Sequence, residues 1–213
     1  MSVIESIKEN GVVAIIRGAK AENIEEVAEA LLNGGVRTLE ITMETPNVLA
    51  AIEKLRTVYK DDLIVGAGTV LDPETARSAI MAGSQFIFSP TVNTETIKMT
   101  KRYGVTSIPG ALTPTEILTA YENGADVIKV FPANLFGPKY LKDVHGPLPY
   151  IPLMPTGGIT TENVHDYVKA GAVAVGIGSA LVNSKNEWNK EEKNALELRA
   201  AAFVQAYQSA IQV

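Results

Sequence analysis

The sequence predicts an α/β protein in which eight parallel strands close into a (β/α)₈ barrel, as one domain over residues 1–213. Short apolar runs alternate with amphipathic stretches along the whole chain, and this alternation repeats eight times. Eight strand–helix units are the number that closes a barrel of parallel strands. The length suits one domain, and 46% hydrophobic with 20% charged residues is typical of a globular protein with a large core.

The apolar runs are short and end at Gly, Pro or polar turn residues, so we interpret them as strands. From first to eighth, the predicted strands cover 12–17, 38–42, 63–69, 86–91, 106–112, 126–132, 152–158 and 172–179. Two of the helical stretches between them begin with a capping residue before a proline, at Asp72-Pro73 and Thr113-Pro114. The predicted helices cover 22–33, 46–59, 73–82, 94–102, 114–122, 137–144, 162–170 and 191–210.

The alternative architecture is an open, doubly wound sheet that binds a dinucleotide. Its fingerprint would be a complete G-x-G-x-x-G after the first strand, and the loop at 17–20 does not carry it. The fragments at 66–68 and 176–178 lack the third glycine. The sequence therefore favours the barrel.

Composition narrows the function classes. A net charge of −5 without a basic block argues against a nucleic-acid partner. The absence of cysteine excludes disulfides and thiolate chemistry. No apolar run approaches the length of a membrane span, and the first ten residues lack the apolar core of a signal peptide, so we expect a cytoplasmic enzyme with no membrane contact.

Three charged residues lie within or at the end of predicted strands: Arg17, Glu40 and Lys129. Barrel strands are covered on both faces, so such charges are costly unless they lie at the active mouth. Because side chains alternate along a strand, Lys129 shares its face with Val127 and Phe131. The second and sixth strands lie opposite each other, so we expect Glu40 and Lys129 to face each other across the mouth.

A lysine in an apolar site loses its proton more easily, and the free amine can attack a carbonyl. A carboxylate across the cavity can then move protons. Lys129 and Glu40 are thus the pair needed for imine-based cleavage of a carbon–carbon bond, without metal or cofactor. The alternative is a buried ion pair that only fills space. His145 and His165 fall in helical stretches and are not expected to be catalytic.

Glycine pairs end the seventh and eighth strands, where barrels often bind phosphate through backbone N–H groups. The residues concerned are Gly157 and Gly158 after the seventh strand, and Gly178 and Ser179 after the eighth. We expect Ser179 to donate its hydroxyl and to open a short helix over 180–182. The alternative is that both are tight turns without a ligand.

Seven motifs follow one another along the chain: Leu39-Glu40-Ile41-Thr42, Gly66-Ala67-Gly68-Thr69-Val70, Ser89-Pro90, Ile108-Pro109-Gly110, Ile128-Lys129-Val130-Phe131-Pro132-Ala133, Pro155-Thr156-Gly157-Gly158 and Gly176-Ile177-Gly178-Ser179. Together they resemble the 2-keto-3-deoxy-6-phosphogluconate (KDPG) aldolase family, some members of which act on 4-hydroxy-2-oxoglutarate. The resemblance runs in order from about residue 3 to residue 183.

The resemblance implies a Schiff-base aldolase of Entner–Doudoroff or hexuronate catabolism, a homotrimer whose partner is a small phosphorylated keto-deoxy sugar acid. By motif, Lys129 is the imine-forming lysine and Glu40 the acid/base. The substrate-binding residues implied are Thr69 and Pro90 at the pyruvate end, Phe131 packed beside the lysine, and Gly157, Gly158, Gly178 and Ser179 at the phosphate.

One position departs from the family pattern, because Glu44 stands where many members carry an arginine that helps to bind the substrate carboxylate. Arg17 resembles the first-strand arginine of the related phosphogalactonate aldolases, and we hypothesise that it compensates by contacting the carboxylate or by orienting Glu40. Thr156, which precedes the strand-seven glycines, favours the gluconate epimer over the galactonate epimer.

Two other functions stay open beside the aldolases for KDPG, its galactonate epimer and 4-hydroxy-2-oxoglutarate. A phosphate-barrel isomerase or epimerase would use carboxylate, histidine or metal bases, and no strand-end histidine is present. A sugar-phosphate binder without catalysis would not need a lysine and a glutamate that face each other.

Overall fold

A computed structural model describes residues 2–212, in which strands and helices alternate as the sequence predicts. The strands are β1 (Val12–Ile16), β2 (Thr38–Thr42), β3 (Ile64–Gly68), β4 (Phe86–Phe88), β5 (Thr106–Ile108), β6 (Gly110–Ala111), β7 (Ile128–Val130), β8 (Leu153–Pro155) and β9 (Val175–Ile177). The α-helices are α1 (Val3–Asn10), α2 (Ile24–Asn33), α3 (Val48–Tyr59), α4 (Pro73–Met81), α5 (Thr94–Arg102), α6 (Pro114–Glu122), α7 (Pro138–His145), α8 (Val164–Lys169) and α9 (Lys190–Ile211).

All strand pairs are parallel, and they form two hydrogen-bonded sheets. One sheet has the order β5-β4-β3-β2-β1-β9 and the other has the order β6-β7-β8. The regular strand pairs therefore form two pieces of a curled parallel sheet and not the single continuous eight-stranded ring that the sequence predicts. Hydrogen bonds from the N–H of Asp126 to the carbonyl of Ser107 and from the N–H of Val173 to the carbonyl of Leu153 link the two pieces.

A proline, which has no backbone N–H to donate, lies at each of the two places where the sheets divide. Pro109 divides the predicted fifth strand into β5 and β6. Pro155 lies in β8, and the chain there meets the β9 side only through isolated bridges, Leu153 to Ala172 and Thr156 to Gly176.

The core has two parts, one enclosed by the strands and one between the strands and the helices. The inner part contains Ile7, Val13, Ile64, Phe86, Phe88, Ile108, Val127, Met154 and Ala174. Val13 and Val127 face inward while Leu39, Ile128 and Val130 belong to the outer part, so the predicted alternation of strand faces is confirmed.

The amino end of the enclosed space is covered by α1, which the sequence analysis did not predict. The helix begins with a capping box between Ser2 and Glu5 and places Ile7 in the inner core. The other eight α-helices agree with the predicted ranges to within two residues at each end. None of the described helices has the length and apolar character needed to cross a membrane.

Two glycines of β3 make room for the side chains that fill the enclosed space. A Cβ atom at Gly66 would overlap the ring of Phe86, and one at Gly68 would overlap the carboxyl group of Glu40. The absence of a side chain at Gly68 is therefore what allows a carboxyl group to lie inside the strands at this level.

Candidate active site

Glu40 and Lys129 both point into the enclosed space, near the carboxyl ends of β2 and β7. Their exposed fractions are only 1% and 5%. Glu40 pairs in register with Gly66 of β3, and Lys129 pairs with Gly110 of β6, so each has a small neighbour on one side. The prediction that both side chains face inward is confirmed.

The two charged side chains do not form an ion pair, since their N and O atoms are not within 4.0 Å. The amine of Lys129 lies over two aromatic rings, 4.6 Å from the centroid of Phe88 and 4.8 Å from that of Phe131. Atom Oε2 of Glu40 is buried without a hydrogen-bond partner. The alternative of a space-filling ion pair is therefore not what these residues form.

Burial shifts both groups toward their neutral forms. Loss of hydration raises the pKa of Glu40 to about 7, against the opposing charges of Lys129 and Arg17. Loss of hydration lowers the pKa of Lys129, aided by Arg17 and opposed by Glu40. A carboxyl group with a pKa near 7 can give and take a proton at neutral pH, and an amine with a lowered pKa is more often a free nucleophile.

A cavity of about 230 Å³ opens at the carboxyl ends of the strands and contains Lys129 in its wall. Eight of the predicted site residues line it: Arg17, Lys129, Phe131, Thr156, Gly157, Gly158, Gly178 and Ser179. It is completed by residues that the sequence analysis did not single out, Ile15, Ile159, Thr160 and Ala180. A second cavity, of about 220 Å³ beside Lys20 and Trp188, does not include Lys129, so we place the site in the first.

The loops after β8 and β9 form one end of this cavity. Gly157 and Gly158 have φ of 97° and 71°, a left-handed conformation that favours glycine. A Cβ atom at Gly178 would meet no heavy atom within 4 Å, so this position borders open space.

The predicted helix over 180–182 is wrong, because the chain there forms a single turn. The N–H groups of Leu181 and Val182 both donate to the carbonyl of Gly178. The chain then starts a separate turn at Asn183, whose side chain accepts a hydrogen bond from the N–H of Lys185. Ser179 lies in the first turn and is exposed at the cavity.

Arg17 is exposed at the end of β1 and forms no hydrogen bond or ion pair with any of residues 2–212. The loop that follows it is held instead by a hydrogen bond of 3.2 Å from the N–H of Gly18 to the hydroxyl of Thr45. Glu44 is exposed as well, and its charge contributes to the raised pKa of Glu40. The guanidinium is therefore available to a ligand in the cavity.

Three predicted site residues, Glu40, Thr69 and Pro90, lie outside the lining of this cavity. Thr69 follows β3 and has a φ of 55°, a rare and strained conformation for a β-branched residue. The backbone of Pro90 packs closely on Gly110. A Cβ atom built on Gly110 would lie only 2.5 Å from the carbonyl group of Pro90. Pro90 thus fixes the strand beside Lys129.

Two further residues beside the site are buried: Thr156, which has a polar side chain, and Phe88, which has an apolar one. The hydroxyl of Thr156 is buried without a hydrogen-bond partner, and Gly176 leaves the room that it occupies. Phe88 was not predicted as a site residue. The strand alternation that places Phe86 inward also places Phe88 inward, and this signal could have identified it.

The family model described as KDPG and KHG aldolase matches residues 3–196 of this chain. The chain belongs to this family. Among the relatives, 2-dehydro-3-deoxy-6-phosphogalactonate aldolase of Escherichia coli K12 is 35% identical over 94% of this chain and 96% of its own length. The 2-dehydro-3-deoxy-phosphogluconate aldolase of Pseudomonas aeruginosa is 34% identical, over 89% of this chain and 88% of its own length.

A solved structure extends the comparison to a relative with pyruvate bound. It is KDPG aldolase from Legionella pneumophila, with pyruvate captured at low pH as a covalent carbinolamine intermediate. That chain superposes with a TM-score of 0.82 at 27% identity, with 98% of each chain covered. The relatives are named aldolases, which are carbon–carbon lyases, so the prediction of an aldolase is confirmed.

Proposed function

We propose that this protein is a class I aldolase that cleaves KDPG into pyruvate and glyceraldehyde 3-phosphate through an imine on Lys129. The observation that carries the proposal is a lysine amine buried in an apolar site, without a carboxylate partner, in the wall of a cavity. Such an amine is the nucleophile that imine chemistry requires.

The reaction begins when the free amine of Lys129 attacks the keto carbon of the substrate and water leaves. The resulting protonated imine accepts the electron pair of the C3–C4 bond when that bond breaks. An enamine of pyruvate then remains on the lysine, and the triose phosphate leaves as an aldehyde. Protonation of the enamine at C3 and hydrolysis of the imine release pyruvate and restore the amine.

Glu40 is the proposed proton carrier for these steps. As a carboxylate it takes the proton of the C4 hydroxyl group during cleavage, and as a carboxylic acid it returns a proton to C3. A pKa of about 7 makes both forms available at neutral pH. The carboxyl oxygen that has no protein partner is free to make these contacts.

The substrate phosphate is assigned to the loops after β8 and β9, at Gly157, Gly158, Gly178 and Ser179. Glycines allow the backbone to approach an anion closely, and barrels commonly bind phosphate at these two loops. These residues lie on the same cavity as Lys129, so one ligand could reach both. The pyruvate end is assigned to Arg17, Thr69, Pro90 and Phe131.

We also infer that the two sheets together form the closed (β/α)₈ barrel. The chain passes from β5 to β6 across one residue, Pro109, and the bridges at Leu153 and Thr156 join the other two edges. A crystal structure with water-filled gaps at these edges would contradict this inference.

The galactonate epimer and 4-hydroxy-2-oxoglutarate are the competing substrates, and sequence identity of 35% against 34% does not separate the two epimers. The epimers differ in configuration at C4. The buried hydroxyl of Thr156, which lacks a protein partner, supports a contact with the C4 hydroxyl group and favours the gluconate epimer. An isomerase or epimerase on the same barrel would use carboxylate, histidine or metal bases and does not require a buried lysine as a nucleophile.

The first prediction concerns the imine itself. After incubation with pyruvate and borohydride, the protein should gain one pyruvyl adduct, located on Lys129, and Lys129→Ala should gain none.

Glu40→Gln should still be trapped but should lose roughly 10²–10⁴-fold in turnover, the usual contribution of a positioned acid/base. Lys101→Ala serves as the control, because Lys101 is paired with Asp126 away from the cavity. An adduct on another lysine would refute the assignment.

The second prediction concerns the substrate. The value of kcat/KM should be highest for KDPG, lower for its galactonate epimer, and lowest for the gluconate form without phosphate. Replacement of Gly178 by leucine should raise KM for the phosphorylated substrates, because the new side chain would occupy the open space there. A preference for the galactonate epimer would refute the role of Thr156. Equal losses on phosphorylated and non-phosphorylated substrates would refute the phosphate site.

The third prediction tests Arg17, whose guanidinium suits a carboxylate. Arg17→Ala should raise KM by roughly 10- to 100-fold, since a hydrogen bond to a charged group contributes about 1.5–3 kcal/mol. The double variant with Glu44→Arg should recover much of the loss if Arg17 contacts the substrate carboxylate. Loss without recovery would indicate that Arg17 orients Glu40. An unchanged kcat/KM in Arg17→Ala would exclude both roles.

A further inference from the structure

The amine of Lys129 lies over the face of the Phe88 ring, 4.6 Å from the ring centroid, and this ring is fully buried. We propose that Phe88 binds the positive charge on the nitrogen of Lys129, first on the ammonium group and then on the protonated imine. The inference rests on the proposed imine chemistry and adds a residue that the resemblance to the aldolase family does not assign.

The position of Phe88 in the sheet places it between the two reactive side chains. It lies on β4, which is separated from β2 and Glu40 by one strand, β3. On the other side, β4 is separated from β7 and Lys129 only by the divided strand β5 and β6. The ring therefore lies on the inner wall between the strand that carries Glu40 and the strand that carries Lys129.

The orientation of the ring is fixed by its neighbour Phe86. The two rings meet edge to face, with centroids 6.0 Å apart and planes at 69°. Phe86 is held in turn by Gly66, which has no side chain to compete for its space. The face of Phe88 is thus presented to the amine by the packing of the inner core.

The charges around the amine make such a contact necessary. The charged groups that act on Lys129 are Glu40 on β2 and Arg17 after β1, and neither is paired with it. A cation without a carboxylate partner in an apolar site is destabilised by lost hydration. The negative face of an aromatic ring attracts a cation within about 6 Å, and more strongly when water is excluded.

The contact acts at a defined point of the reaction. The neutral amine gains little from the ring, whereas the protonated imine carries a full positive charge at the same nitrogen. Phe88 therefore favours formation of the imine over the free amine. It moves no proton, and its contribution ends when cleavage of the C–C bond neutralises the charge as the enamine forms.

The test replaces Phe88 by phenylalanines with one, two and three fluorine atoms, which weaken the negative ring face stepwise with little change in shape. The measurement is the pH profile of pyruvate trapping at Lys129. The pH midpoint should fall with each fluorine, because the ammonium group loses stabilisation. At pH values above the midpoint, pyruvate should bind as the imine roughly 3- to 30-fold more weakly with three fluorines than with none.

The same series at Phe86 is the matched control, because that ring is equally buried but does not lie over the amine. It should leave both the midpoint and the affinity unchanged. Phe88→Leu repeats the test with an encoded residue and should weaken the imine as well.

Three outcomes overturn the proposal. If fluorination of Phe88 changes neither the pH midpoint nor the affinity for pyruvate, and the unmodified protein is trapped at Lys129, the role of Phe88 is refuted and the proposed imine function is not. Equal slopes at Phe86 and Phe88 show a general packing effect and refute it as well. If the unmodified protein forms no adduct at Lys129, the proposed function fails and this inference fails with it.

Discussion

The site depends on one constraint: an amine and a carboxyl group are buried in the same apolar space without pairing. Each group loses hydration and has no oppositely charged group in contact with it. The pKa of Lys129 therefore falls and that of Glu40 rises. An ion pair would have cancelled both shifts and left an inert cation and anion. In the proposed mechanism, this separation keeps Lys129 as the nucleophile and Glu40 as the acid/base.

The rest of the fold maintains this separation. Gly68 leaves room for the carboxyl group beside β3, and the rings of Phe88 and Phe131 hold the amine on the other side. The parallel strands end at the same edge, so the glycine loops at 157–158 and 178 lie on the cavity that reaches Lys129. Under the proposed function, the substrate places its keto group at Lys129 and its phosphate at these loops.

The sequence was sufficient where local periodicity decides the outcome. The alternation of Val127, Lys129 and Phe131 placed the lysine inward, and caps such as Thr113 located the helices. The sequence was not sufficient where packing between distant residues determines the structure. The break at Pro109, the cover formed by α1 and the absence of an ion pair depend on contacts between distant residues. The homotrimer and the substrate epimer stay predictions, because both depend on molecules outside this chain.

The central claim is that burial without pairing sets the protonation of the two groups, and nuclear magnetic resonance titration of labelled lysine and glutamate side chains tests it directly. Lys129→Ala and Glu40→Gln would assign the two signals. The account predicts that Glu40 titrates at about 7 and Lys129 below the ordinary lysine value of about 10.4. A Glu40 signal that titrates near the ordinary value of about 4.3, with Lys129 at or above its own, would reveal an ion pair and contradict the account.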